Sequence, residues 1–594
     1  MGQFFKFLFA SILGVFIALF IFFIVISGMV ASAISDAQKQ APSLKQNSVL
    51  ELTFNQPIPE KPSQNPLENL SYLGDEFEPR PALSTYLDYI EKAAQNDNIQ
   101  GIYLHLGSIP IGWSQLMEVR QALIDFRDAG KFVYAYGENY SQKAYLLASL
   151  ADSVYLNPEG TFFFRGLSST SLFFREALDD LEIEPQVFKV GRYKGAVEPF
   201  TRKDFSESNR AQIQELLNSV YRQYLMDLSE QRDIDTAQLR QYADSLLVRT
   251  PKKALEFRLV DDLVYEDEVL DAMRRRLALG DDEPVEQVDF ARFKAAEKGA
   301  IVPATEEKSD KGQIAVVYAE GNIVSGPSND GTIGSETLAA SIRKARRDST
   351  VKAVVLRVNS PGGSALASDV IAREIQLTQE QKPVIASMGN VAASGGYYIS
   401  CLADAIVADP TTITGSIGVY AVFPNVRQFL DRKLGVTVDR VRTGPYGDFP
   451  SPTRPLREDE KAIFQQFIED TYDSFLERVA EGRGMTTEAV HELAQGRVYT
   501  GAQAMDRNLV DQLGGFEDAV ALAADRAGLE QYELRTLPKE ENPFKQLLNY
   551  LENQTMAYVL DPMAMEALER SRKLRALQQM EGVSAMMPFE LRIE

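Results

Sequence analysis

The sequence predicts an α/β protein in which one layered domain plan is written twice. Three observations carry that expectation. Short β-branched runs alternate with stretches of helical periodicity, the pattern of a mostly parallel, layered sheet. The early strands are apolar on both faces, as strands buried in such a sheet are. The two halves of the chain also match one another at an offset of about 252 residues.

At 594 residues the chain is too long for one undivided core. With 45% hydrophobic and 25% charged residues it has globular rather than disordered composition. The formal net charge of −22 argues against a phosphate-backbone binder, so no nucleic-acid partner is expected. Cys401 is the single cysteine, which excludes an intrachain disulfide and a cysteine-rich zinc site; no metal site is expected. The two histidines, His105 and His491, narrow the hydrolytic mechanisms open to the chain.

Taken in order, residues 1–47 read as a membrane anchor and tether. Phe7 to Ser35 carries no charge and follows Lys6, and a span needs about 20 apolar residues. Ala31-Ser32-Ala33 resembles a signal-peptide cleavage site, but the apolar run is longer than such peptides carry. Lysines flank both sides, so charge does not fix the orientation. Residues 48–293 form the first repeat, 294–312 a polar linker, 313–536 the second repeat, and 537–594 a helical extension in which Phe544–Leu560 is amphipathic.

The duplication rests on several matches in one order. Gly101–Ser108 lies opposite Ala353–Ser360, Leu150–Pro158 opposite Leu402–Pro410, and Leu259-Val-Asp261 opposite Leu509-Val-Asp511. In the second half Gln313–Ala319, Lys352–Val358, Val384–Met388 and Ala405–Ala408 read as strands. Thr337–Arg347 and Gly395–Leu402 read as helices.

Two glycine-rich clusters of the second half fall where parallel strands end, the place where such sheets hold ligands. They are Asn359-Ser-Pro-Gly-Gly-Ser364 and Val391-Ala-Ala-Ser-Gly-Gly-Tyr397. Gly362 and Gly363 let backbone N–H groups approach a substrate, which suits an oxyanion hole or a plain tight turn. Ser394 precedes a helix and reads as a nucleophile or as its N-cap. A serine nucleophile needs a base. Neither histidine lies beside a glycine-rich turn, whereas a desolvated lysine serves in Ser-Lys enzymes. The repeats point to Lys194. Aligning Phe188–Gly195 with Arg440–Asp448 sets Lys194 against Gly447, while Ser394 meets Gln142 and Pro361-Gly362-Gly363 meets Ile109-Pro110-Ile111. One half holds the lysine, the other the serine and glycines. Ser341-Ile-Arg-Lys344 satisfies S-x-x-K without its companion motifs, and Cys401 reads as a buried apolar residue.

These features resemble the signal peptide peptidase A (protease IV) family in its long, tandem-repeat form. The resemblance lies in Tyr193-Lys194 with Ala196-Val-Glu-Pro-Phe200, Ser360-Pro-Gly-Gly-Ser364, Ala392-Ala-Ser-Gly-Gly-Tyr397 and Thr414-Gly-Ser-Ile-Gly-Val419. It implies two Clp protease/crotonase-like domains behind one transmembrane helix. It implies a serine endopeptidase with Ser394 as nucleophile, Lys194 as base, Ser416 orienting the lysine, and Gly363 with Gly395 at the oxyanion. No cofactor is implied. The implied partners are signal peptides and other apolar peptides, the lipid bilayer, and three further copies in a homotetramer. The implied location is the bacterial inner membrane, with the catalytic part on the periplasmic side. Arg192 and Gly195 depart mildly from the family pattern around the lysine. The rival readings are a crotonase-like acyl-CoA enzyme and a catalytically dead membrane scaffold.

Overall fold

The structure is a computed structural model. It describes residues 6–7, 13–14, 17, 44–62, 80–280, 282–300, 312–329, 331–538 and 584–586. The expected membrane span lies almost wholly outside the described residues, and among those described no helix is long and apolar enough to cross a membrane. Most of the expected helical extension also lies outside them; of its described residues, Leu537 ends one strand and Ser584–Met586 forms another, and none is helical.

The first half builds a parallel sheet in the order Asp262–Leu263, Ser153–Phe162, Phe132–Tyr140, Ile99–His105, Ser48–Leu52, Gln287–Asp289. The second half repeats it with Ala405–Ala408, Val384–Ala393, Val351–Ser360, Gly312–Glu320 and Tyr532–Leu537. The small strands Ile413–Gly415 and Val498–Thr500 extend one end of this sheet. Val, Ile and Ala fill these strands, and helices pack on their faces.

The repeat is visible in single bonds. Asn139 pairs with Thr161 in one sheet, as Val391 pairs with Ile413 in the other. The Tyr145 hydroxyl donates to Leu259 O at 2.6 Å, and that of Tyr397 to Leu509 O at 2.9 Å. Thr250 and Thr500 each cap a short helix.

Three elements depart from the sequence expectation. The strand beginning at Val384 does not stop at Met388; it runs to Ala393, with an irregular register opposite Val358–Ser360. The stretch expected to be a linker from Lys294 begins inside the helix Phe290–Ala300. That helix belongs to the first half because Phe290 and Phe293 pack on Tyr86 and Tyr89, ring centroids 4.5 and 6.0 Å apart. A third sheet joins the halves, in the order Thr332–Gly334, Asn322–Val324, Gly362–Ser364, Ser584–Met586, Val419–Asn425, Glu184–Val190.

Within that sheet, Glu184–Val190 of the first half runs antiparallel to Val419–Asn425 of the second, Val190 opposite Val419. A buried ionic knot fastens the same junction. Arg357, 1% exposed, donates to Glu60 at 2.8 Å, to Glu118 at 2.6 Å and to Ser387 Oγ at 2.9 Å. Its neighbours satisfy both carboxylates: Gln115 donates to Glu60, and Phe516 N donates to Glu118.

Candidate active site

The cross-half strand pair delivers Lys194 to Ser394. Val190 ends the first-half strand, and four residues later the Lys194 side chain is fully buried. Its Nζ lies 2.8 Å from Ser394 Oγ, 3.0 Å from Ser416 O and 3.1 Å from Ser416 Oγ. Burial, with no carboxylate beside it, holds the amine well below the ordinary lysine pKa. The cause is desolvation, which disfavours the charged form.

Ser394 stands at the end of the strand Val384–Ala393 and opens the helix Gly395–Ser400. It stands at the N-cap position but its side chain caps nothing: it accepts no helix N–H, and its φ of 55° and ψ of −114° lie where non-glycine residues rarely sit. The backbone holds it there. Ser394 N donates to Gly415 O at 2.8 Å, and Ser394 O accepts from Tyr398 N at 2.8 Å. Ser416 also has a positive φ, 53°, and its N–H donates to Arg497 O. Such conformations cost of order 1–3 kcal/mol each and gather at working sites. Here they turn two hydroxyls toward one amine.

Gly363 lies on the short strand Gly362–Ser364, and Gly395 is the residue after Ser394. A Cβ on Gly363 would fall 2.0 Å from Ile323 O, so the backbone approach there requires glycine. Ser360 braces this turn: its Oγ accepts from Gly362 N at 3.1 Å and donates to Gly321 O at 2.7 Å. Gly496 packs the other side of the lysine, at φ 78°, where a Cβ would come within 2.7 Å of Lys194 Cβ.

The remaining candidates lie elsewhere. His105 sits 3.7 Å from Glu51 and 3.6 Å from Glu266. His491 Nδ1 meets the Tyr472 hydroxyl at 3.1 Å. Ser341 donates to Thr337 O within its own helix. Cys401 is buried and its thiol is pushed up to about 12 by desolvation, so it is no nucleophile. Among the described residues no group of His, Cys, Asp and Glu could hold a metal ion.

Sequence reasoning missed the residues that frame the lysine. Gln212 and Asn209 lie on the helix Glu207–Arg232 and are 2% and 1% exposed. Two amide residues three positions apart near the start of a polar helix were the available signal.

Comparison with known proteins agrees with the doubled fold. The family model for Peptidase family S49 matches twice, at residues 125–280 and 376–530. "Protease 4" of Salmonella typhi is 37% identical over 500 residues, covering 82% of this chain and 78% of that protein. "Protease 4" of Haemophilus influenzae is 39% identical over 462 residues, 76% of this chain and 74% of its own. "Serine protease SPPA, chloroplastic" of Arabidopsis thaliana is 34% identical over 468 residues, 77% of this chain and 68% of its own.

Proposed function

The chain belongs to peptidase family S49 and is a serine peptidase, and from that membership we propose an endopeptidase with a Ser394–Lys194 dyad that degrades signal peptides and other apolar peptides. The observation that carries the dyad is the 2.8 Å contact between a fully buried amine and a strained serine. Lysine's ordinary pKa is about 10.4, and a working base sits near 7–8. The burial of Lys194 moves it in that direction.

In the proposed reaction, neutral Lys194 takes the Ser394 proton as Oγ attacks the scissile carbonyl. Backbone N–H groups at Gly363 and Gly395 hold the oxyanion. Lys194 then protonates the leaving amine and activates water for deacylation. Ser416, with its hydroxyl and its carbonyl on Nζ, keeps the amine aimed at Ser394. A peptide binding mode is supported by the chain itself: Ser584–Met586 lies antiparallel to Gly362–Ser364 beside the nucleophile.

The finer readings rest on separate observations. The layered sheets suit a Clp protease/crotonase-like fold. The uncharged run Phe7–Ser35, in which Phe7, Leu13 and Ile17 are exposed, supports a single-pass anchor; its place in the bacterial inner membrane, with the catalytic part on the periplasmic side, rests on the family resemblance alone. Self-assembly, a homotetramer in this proposal, is supported by the repeat. The counterpart of the lysine-side strand is 436–442 and that of its partner strand is 167–173. In this chain neither is paired, and Val436, Val438, Val441 and Leu172 are exposed. Two copies joined head to tail pair these segments as Glu184–Val190 pairs with Val419–Asn425.

The test is purified wild type, Ser394→Ala and Lys194→Ala on a fluorogenic apolar peptide. Both variants lose cleavage; unchanged cleavage by either overturns the dyad.

A further inference from the structure

We propose that Gln212 is a positioning residue that sets the proton affinity and aim of Lys194, an inference resting on the Ser394–Lys194 reading. Its side-chain amide is the junction where two backbone segments of the site meet. Its Nε2 donates to Tyr193 O at 2.9 Å, one residue before the lysine. Its Oε1 accepts from Val498 N at 3.3 Å, one residue after Arg497. Arg497 O in turn accepts from Ser416 N. One side chain of the first half therefore holds both the lysine segment and the segment that pins Ser416.

Gln212 is itself held. Its Nε2 also donates to Asn209 Oδ1 at 2.7 Å, and Asn209 Nδ2 donates to Glu198 Oε2 at 2.9 Å. Glu198 is anchored by Ser206 N at 3.0 Å, beside the N-terminus of the helix. The clamp thus returns to the chain four residues after Lys194. One turn beyond Gln212, Leu216 packs with Ala393, the residue before the nucleophile, and with Ile413 and Val498. Ser219 meets Thr500 at 2.8 Å on the same face.

The chemistry asks for an amide here. Tyr193 O accepts a second hydrogen bond here and Val498 N needs an acceptor, and glutamine serves both from one planar group. An apolar residue of equal size takes the acceptor from Val498 N and leaves Tyr193 O with the Gly195 N–H alone. The lysine segment then loosens, water reaches the amine, and desolvation no longer depresses its pKa.

The experiment compares wild type, Gln212→Met and Gln212→Glu, with Lys194→Ala and Ser394→Ala alongside, measuring kcat, KM, melting temperature and the pH profile of kcat/KM on the fluorogenic peptide. Gln212→Met is expected to lower kcat at least tenfold with KM within twofold, and to shift the acid limb of kcat/KM upward by a pH unit or more. Gln212→Glu keeps the acceptor for Val498 N and recovers part of kcat. A purely structural role lowers the melting temperature and leaves kcat and the acid limb in place, which overturns the proposal. If Gln212→Met does not fold, the pH limb of a third variant, Gln212→Asn, uncharged and too short to reach both backbone groups, decides: an upward shift supports the clamp and an unmoved limb overturns it. Retained activity in Lys194→Ala refutes the dyad itself, a result distinguishable from a silent Gln212 substitution.

Discussion

The two halves carry the same sheet and fill the same place with opposite chemistry. In the second half the strand Val384–Ala393 ends in Ser394, whose backbone is strained and whose side chain caps nothing. In the first half the strand Phe132–Tyr140 ends in Ser141, which has an ordinary φ of −72° and caps the next helix by accepting from Ala144 N. Gln142 takes the place of Ser394. Its amide accepts from Arg165 N and donates to Gly166 O, at 3.3 and 3.4 Å. Thr414 and Ser416 are matched by Phe162 and Phe164. These rings pack with Tyr145 and Tyr224, Phe162 to Tyr145 at 4.4 Å and Phe164 to Tyr224 at 6.1 Å. One copy holds a strained serine and takes in a dry lysine from the other, whose own corresponding place is plugged with aromatics. On the proposed dyad a second domain is still required, because it brings the lysine.

The sharpest way to break this contrast is Lys194→Met, which gives the catalytic half an apolar filling of its own. Activity falls by at least about ten-thousand-fold, or about 5 kcal/mol in the transition state. The melting temperature rises at neutral pH. The sign follows from linkage. The native amine has a lowered pKa, so in the window between that value and lysine's ordinary pKa the unfolded chain binds the extra proton. Burial therefore destabilises the native state at neutral pH, and the penalty fades only as pH rises toward the ordinary lysine range. For the same reason kcat/KM of the wild type is expected to rise with pH through the depressed pKa and then level, since neutral amine is the proposed base. A melting temperature lowered by Lys194→Met, or a flat pH profile, contradicts this account.

Next in size are substitutions that separate stability from chemistry. Arg357→Met leaves Glu60 and Glu118 buried without their cation and costs about 3–5 kcal/mol, read as a chemical-denaturation midpoint. Its counterpart His105 is half-buried at the end of a central strand near Glu51 and Glu266, and His105→Gln costs less than about 1 kcal/mol. Phe164→Ser imposes the catalytic half's residue on the plugged half. It costs about 3–5 kcal/mol, as loss of a buried phenylalanine does, with kcat per folded molecule unchanged. Ser416→Ala behaves inversely: stability holds within about 1 kcal/mol, and kcat drops ten- to a hundredfold, the scale of one hydrogen bond to a charged or polar centre.

Much of this division was legible in the sequence. The offset of about 252 residues aligned the halves and set Lys194, Ser394 and Gly363 against residues without their chemistry. Local patterns also served well: Ala405–Ala408 is a strand with the expected bounds. What escaped was long-range or conformational. The positive φ of Ser394 follows from a carbonyl on a neighbouring strand, Gly415 O, and no local pattern encodes it, so a cap was the natural alternative. The antiparallel pairing of Glu184–Val190 with Val419–Asn425 spans over 200 residues. Arg357 offered a signal that went unused: a cation in the middle of the apolar run Ala353–Val358 demands buried carboxylates.

The smallest expected effect concerns the glycine strand. In the first half its counterpart is Ile109-Pro110-Ile111; both isoleucines are buried, and the proline has no N–H to offer a partner strand. In the second half Gly362–Ser364 offers an open edge, and residues 584–586 occupy it, with Gly363 opposite Ala585 and Tyr420 opposite Ser584. An extended substrate that adds to the same edge must displace this segment. Because the competitor belongs to the same chain, it acts at a fixed effective concentration. It raises the apparent KM by the reciprocal of the fraction of open clefts, without touching the bound complex. Deleting residues 584–594 is therefore expected to lower KM by about two- to tenfold at unchanged kcat, measured on the fluorogenic peptide. A higher KM after deletion means instead that the segment is part of the platform on which substrate lies, and then the glycine edge of the catalytic half is a built groove rather than an open one.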